Sequence, residues 1–341
     1  MYVIFAILLL GIIILVHELG HFLAATLSGV MVKEFSLFFG PALYQKKFGE
    51  TVYSIRTIPL GGYVQMLGEH ESSDDPRSFE MQRKLKRFFI LIAGVGFNTI
   101  FGVFLLGVLN MADSPYMLPT VKVFEKSPAS ESLKDGDRII SIDGERIENW
   151  QDIMVYLGMN ANDLSSVKIK FLRGRKVDIA EIKLQKDEKS GKMVLGIAPF
   201  GDIAHYSGLS FFPAMKKGVF DACGFLWLNF QGIKKIASGK MSAKDNLAGP
   251  VGIVHLSSKV VESGWMNTLK FLALLNILIA LFNLLPIPML DGGHIMFLGI
   301  EAIRGKPISR PTQAALQFVF LILLLGFVLL VTCFDVMRIF S

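Results

Sequence analysis

Four apolar runs long enough to cross a bilayer, at about residues 2–27, 88–112, 266–285 and 314–335, constrain this 341-residue chain more than any other feature. Lipid offers no partner to backbone N–H and C=O groups, so each run is expected to be a helix and the whole a polytopic α-helical membrane protein. Composition agrees: 52% of residues are hydrophobic, Phe alone counts 28, and the mean hydropathy is +0.50. The first run has neither a basic leader nor a small-x-small cleavage pattern, so it reads as a retained span rather than a signal peptide.

Within that first run, IILVHELGHFLAATLSG, stand His17-Glu18-Leu19-Gly20-His21. Ionisable residues at the centre of a span cost several kcal/mol on some scales, and so mark function by default. Residues four apart share one helix face, so His17 and His21 can offer two imidazoles to one tetrahedral Zn²⁺, with Glu18 placed as a base for water. A third ligand is needed. In Asn283-Leu-Leu-Pro286-Ile-Pro288-Met-Leu290-Asp291-Gly292-Gly293-His294, two prolines and two glycines interrupt the third run. A broken helix at that depth survives only where protein buries it or a wet cavity lies beside it. Asp291 is the expected third ligand; His294 is its rival, and a helix-capping role is the alternative for Asp291.

Nine basic residues (Lys33, Lys46, Lys47, Arg56, Arg77, Arg83, Lys84, Lys86 and Arg87) lie between the first two spans, which assigns that loop to the cytoplasmic side. The N-terminus, residues 113–265 and the C-terminus then face the other side. The net charge of +6 reflects such loops and contact with membrane lipid, not nucleic acid, because no basic run alternates with aromatics. Cys223 and Cys333 form no CxxC and no disulfide framework.

The pairing of HExxH in the first span with NxxPxPxLDGG in a later one resembles the site-2 protease family, in its bacterial RseP-type form, over nearly the whole chain. The resemblance implies an intramembrane zinc endopeptidase: His17, His21 and Asp291 hold Zn²⁺, Glu18 is the catalytic base, and Asn283 helps hold substrate near the metal. Asn98 matches a polar position on the second span and is counted with the substrate-binding residues, with a helix-packing role as its alternative. The implied substrates are single-pass membrane proteins in a bacterial inner membrane: anti-sigma factors trimmed by a first extracytoplasmic cut, with remnant signal peptides as a second class.

Four parts follow. Residues 1–112 form an N-terminal catalytic part with two spans, and residues 265–341 a C-terminal one with the other two. In residues 34–68, Phe35-Ser-Leu-Phe-Phe-Gly-Pro41 and Thr51-Val-Tyr-Ser-Ile-Arg-Thr-Ile58 read as strands around a turn at Gly49, followed by Pro59-Leu-Gly61-Gly62-Tyr63-Val64. The family resemblance makes this a membrane-associated β-hairpin and sheet beside the site. Ile55, Thr57, Gly61 and Gly62 are expected to bind substrate there by strand addition, unless the hairpin only seals the bundle. Residues 115–200 resemble a single extracytoplasmic PDZ-like α+β domain, carried by Ser127-Pro128-Ala129, Gly136-Asp137-Arg138-Ile139-Ile140 and Asp143-Gly144. Leu195-Gly196-Ile197 is the candidate carboxylate loop; the domain is expected either to grip a peptide end or to exclude bulky substrates. Residues 201–264 are amphipathic, with 211–236 read as an interfacial helix or a fifth span. Ala248-Gly-Pro250-Val-Gly-Ile253 matches a family segment to which sequence gives no chemical role.

Overall fold

The computed structural model describes residues 2–69, 71, 73–160, 164–186 and 193–340. The chain divides into two compact units: Met1–Leu109 with Phe211–Leu226 and Lys244–Ser341, and Asn110–Ser210 with Trp227–Ala243. Set against the expected 115–200 domain, the second unit reaches further at both ends and takes in the end of a later helix.

In the first unit, α1 (Tyr2–Leu27) leads into β1 (Val32–Phe48) and β2 (Thr51–Met66), and α2 (Lys84–Met111) follows. Both strands fold on themselves. β1 bends where Phe38 and Gly40 adopt φ of 74° and 86°, and β2 where Gly61 adopts 97°, a region only glycine enters freely. The register then builds four lanes in the order 42–48, 51–56, 32–37, 62–66: Tyr44 pairs with Ile55, Ile55 with Leu37, and Leu37 with Gly62. Ile55 is therefore paired on both sides, and no backbone edge is free there for a substrate strand. Thr57 is exposed beyond Arg56, the last residue of its lane paired with 42–48. Among the described residues the outer lanes 42–48 and 62–66 are each paired on one side only, and of the two it is 62–66 that lies beside the cavity described below. The hydrophobic alternation of 51–58 gave no hint of this, because a fold-back that turns a hairpin strand into an inner one depends on backbone bends.

Between the inner lanes, Arg56 Nη2 donates to Glu34 Oε1 at 2.7 Å, and Ser54 Oγ donates to the same oxygen at 2.5 Å. Burial pushes the Glu34 carboxyl up, but these bonds outweigh it and hold the group below its usual range. The charge pair is thus closed on itself inside the sheet.

Later in the chain come α4 (Phe211–Ala237), α5 (Ala243–Asn246), α6 (Pro250–Glu262), α7 (Trp265–Asn283), α8 (Asp291–Arg304) and α9 (Arg310–Phe340). Among the described residues, four helices are long and apolar enough to cross a membrane: Ile7–Leu27, Lys84–Met111, Trp265–Asn283 and Arg310–Arg338. The helix over 211–237 is not one of them; Lys216, Lys217, Asp221, Lys234 and Lys235 break its apolar surface. The spanning helices cross closely. A Cβ at Gly20 of α1 would lie 2.6 Å from Ala93 O of α2, so the crossing depends on a bare backbone there. The segment without an assigned role also gains one. Asp335 of α9, 1% exposed, accepts from Gly249 N at 3.2 Å and Gly252 N at 2.7 Å, capping the N-terminus of α6 and fastening it to α9.

The second unit contains β3 (Ser114–Met117), β4 (Val121–Val123), β5 (Arg138–Ile142), β6 (Glu145–Arg146), α3 (Trp150–Asn160), β7 (Ser166–Arg173), β8 (Lys176–Lys183), β9 (Gln185–Lys186), β10 (Met193–Val194), β11 (Ile197–Pro199) and β12 (Ile203–Tyr206). A sheet ordered β6-β5-β7-β8 packs the inward residues Ile139, Ile142, Val167, Ile169 and Phe171 with Ile153 and Tyr156 of α3. Asp137, 1% exposed, takes a two-pronged bond from Arg173, Nε to Oδ1 at 2.9 Å and Nη2 to Oδ2 at 2.6 Å, and a third from Lys134 N. Replacing Asp137 by Ala should strip three donors of their acceptor and cost about 2–4 kcal/mol in this unit. Hydrogen exchange on the intact chain would show this as lost protection in β5 and β7; unchanged protection would reject it.

Candidate metal centre

Helix α1 carries His17 and His21 on one face, and the chain returns to them through the break after α7. Proline has no N–H to continue a helix, so α7 stops at Asn283 ahead of Pro286 and Pro288, and α8 starts afresh at Asp291. The two glycines after Asp291 let this happen. A Cβ at Gly292 would strike the Leu284 and Leu285 carbonyl oxygens, and one at Gly293 the Ile287 carbonyl, so the chain can fold tightly over its own loop only there.

The result is a nearly equilateral triangle. His17 Nε2 lies 3.2 Å from Asp291 Oδ2, His21 Nε2 lies 3.3 Å from the same oxygen, and the two Nε2 atoms are 3.3 Å apart. Tetrahedral zinc with bonds of about 2.0–2.1 Å needs ligand-to-ligand edges of about 3.3–3.4 Å. The donor chemistry fits as well. His21 Nδ1 donates to Ile90 O at 2.9 Å, which leaves Nε2 with a bare lone pair. Asp291 Oδ2 is buried without a hydrogen-bond donor. Two imidazole nitrogens and a carboxylate oxygen gathered at these distances can present three lone pairs to one cation.

Asn98, expected among the substrate-binding residues, is fully buried, and its amide meets His17 Nδ1 at 3.4 Å. Its Oδ1 has no partner in that orientation. With the amide turned over, Oδ1 can accept from His17 Nδ1–H, which leaves Nε2 open to a metal, and Asn98 also lines the cavity described next. Gly94 was not anticipated. A Cβ there would overlap His21 Nε2 and crowd His17 Cε1, so the second helix must be bare opposite the imidazoles. The glycine-rich stretch Ala93-Gly94-Val95-Gly96 was the only signal.

A cavity of about 800 Å³ opens on this triangle. Glu18, Gly61, Gly62 and Asn283 line it, as do Tyr63 and Glu69, which sequence reasoning passed over. Ile55 and Thr57 do not. A Cβ at Gly62 would come within 3.0 Å of Glu18 Cγ, so this glycine leaves room for the acid beside the free strand edge. His294 also lines the cavity, yet among the described residues the group placed to hold a metal ion is His17, His21 and Asp291, without His294.

Comparison with known proteins accords with this geometry. A Clostridium perfringens relative named as a zinc metalloprotease is 34% identical over 337 residues, 98% of each chain. A Fusobacterium nucleatum relative named likewise is 35% identical over 343 residues, again 98% of each. Zinc metalloprotease RasP of Bacillus licheniformis is 28% identical over 420 residues, also 98% of each. Among solved structures, the PDZ domain of an SdrC-like protein from Listeria monocytogenes aligns with 25% of this chain and 85% of its own at 30% identity, with a TM-score of 0.22. The model of peptidase family M50 matches residues 5–327, from the first spanning helix into the last, and the chain accordingly belongs to that family, the zinc-dependent site-2 proteases of membranes.

Proposed function

We propose that the protein is an intramembrane endopeptidase that cuts single-pass membrane proteins close to the cytoplasmic face of a bacterial inner membrane. The observation that carries this reading is the acceptor triangle of His17, His21 and Asp291 in a cavity shared with Glu18. Zinc held there supplies Lewis acidity toward a peptide carbonyl and toward water. Glu18 takes a proton from the attacking water on its carboxylate and passes it to the departing amine nitrogen. Asn283, on the cavity wall at the end of α7, holds the substrate chain beside the metal.

A transmembrane helix hides its peptide bonds in its own hydrogen bonds and must unwind to be cut. The edge 62–66 lines the same cavity with one side unpaired, and offers the opened strand the backbone partners it has lost. By family resemblance the substrates are anti-sigma factors after a first cut outside the membrane, and remnant signal peptides. The second unit is the PDZ-like element that selects them, by gripping a new carboxyl end or by excluding untrimmed ectodomains.

Three outcomes test this. The purified chain should hold about one zinc; Glu18→Gln should keep the metal and lose cleavage by at least 10³-fold, whereas Asp291→Ala should lose both. Metal analysis with a cleavage assay decides, and an Asp291→Ala protein with full zinc would sink the ligand set. For the strand edge, Val64→Pro and Gln65→Pro occupy adjacent positions, one of which points its N–H outward. At least one should lower kcat/KM about tenfold with zinc content unchanged; normal turnover by both would remove strand addition from the mechanism. For orientation, in a background lacking Cys223 and Cys333, a cysteine replacing Lys46 should resist an impermeant thiol reagent in spheroplasts while one replacing Glu145 reacts. The opposite pattern would invert the topology.

A further inference from the structure

The basic cluster at the start of α2 served above only to orient the chain in the membrane. Three of its side chains make defined bonds. Lys86 Nζ donates to Ser28 O at 2.8 Å, just past the end of α1. Lys84 Nζ donates to Glu301 O at 3.1 Å in the last turn of α8, and Arg87 Nη1 donates to Glu301 Oε1 at 2.9 Å. Both of the helices fastened here carry residues of the acceptor triangle: α1 bears His17 and His21, and α8 opens with Asp291. One turn further along α2, Ile90 supplies the carbonyl that orients His21.

The Arg87–Glu301 pair is no loose surface contact. Its side chains are 17% and 11% exposed, and the guanidinium lies 5.3 Å over the Phe79 ring. Phe79 belongs to the core cluster that includes Ala24 and Ala25 of α1 and Leu298 of α8. Cations at the C-terminal ends of helices also meet their partial negative charge. The geometry at stake is fine. A turn of α8 by about 10° about its axis would carry a side-chain tip, some 6 Å off the axis, through about 1 Å, whereas metal–ligand bonds tolerate about 0.2 Å.

We propose that Lys84, Lys86, Arg87 and Glu301 are positioning residues for the metal centre: they fasten the C-terminal ends of α1 and α8 to α2, so that His17, His21 and Asp291 close on one ion. The inference rests on the ligand set proposed above. If the cluster serves orientation alone, changes that keep its charge leave zinc binding untouched.

The test measures the zinc dissociation constant of the full-length protein in detergent, by competition with a chelator, together with the melting temperature of the metal-free form. Glu301→Gln leaves every loop cation in place, and Arg87→Lys keeps the charge but loses the guanidinium's reach. Both should weaken zinc binding tenfold or more, in the range of lost outer partners to metal ligands. The exchanged pair, Arg87→Glu with Glu301→Arg, should recover most of that loss. Glu80→Gln, which breaks the exposed pair with Arg310 away from both ligand helices, should bind zinc as the parent does. Zinc affinity within twofold of the parent in both Glu301→Gln and Arg87→Lys overturns the proposal, and so does an equal loss in Glu80→Gln. Asp291→Ala run alongside separates the two readings, since zinc retained there indicts the ligand set and not the clamp.

Discussion

Two imidazole nitrogens and a carboxylate oxygen converge in the membrane part of this protein, and much of the surrounding structure follows from making that tolerable. Lone pairs on His17, His21 and Asp291 at 3.2–3.3 Å repel one another unless a cation lies among them. Holding them there takes a bare backbone at Gly94, a carbonyl at Ile90 committed to His21, and a buried amide at Asn98 against His17. It also takes a helix stopped by prolines and restarted over two glycines. Each of these departures weakens ordinary helix packing or hydrogen bonding, and together they produce a binding site.

The second constraint is the backbone of whatever enters. Irregular chain at membrane depth needs partners, and the folded-back sheet keeps one lane, 62–66, with a side unpaired next to Glu18. Its inner lanes are closed by the Glu34, Ser54 and Arg56 bonds, which satisfy a charge pair internally and stiffen the platform. A rigid edge spends less of its binding energy on ordering itself when a strand arrives.

What could be read from sequence was whatever local spacing encodes. Helical periodicity puts His17 and His21 on one face, apolar length gives four spans, and Pro286, Pro288, Gly292 and Gly293 announce a broken helix with an acid at its restart. What escaped depends on contacts distant in sequence. Ile55 and Thr57 read as an edge because a hairpin has edges, but the bends at Phe38, Gly40 and Gly61 bring 32–37 against that strand and leave 42–48 and 62–66 as the outer lanes. Asn98 stood out as a polar residue in a span, yet only the fold shows it behind His17. Gly94, Tyr63 and Glu69 are common residue types whose importance lies in what they face. The Gly249 and Gly252 pair had no visible role until Asp335, more than eighty residues on, closed on their amides.

The last helix carries a consequence of a different kind. Within the most apolar window of Arg310–Arg338 only 6% is buried, so most of that stretch packs against nothing among the described residues of this chain. The span covers 29 residues where α7 covers 19, roughly 44 Å against 29 Å of helix beside a hydrocarbon core of about 30 Å. One helix must lean or protrude where the other fits upright, and the bilayer around the enzyme is the medium that settles the difference.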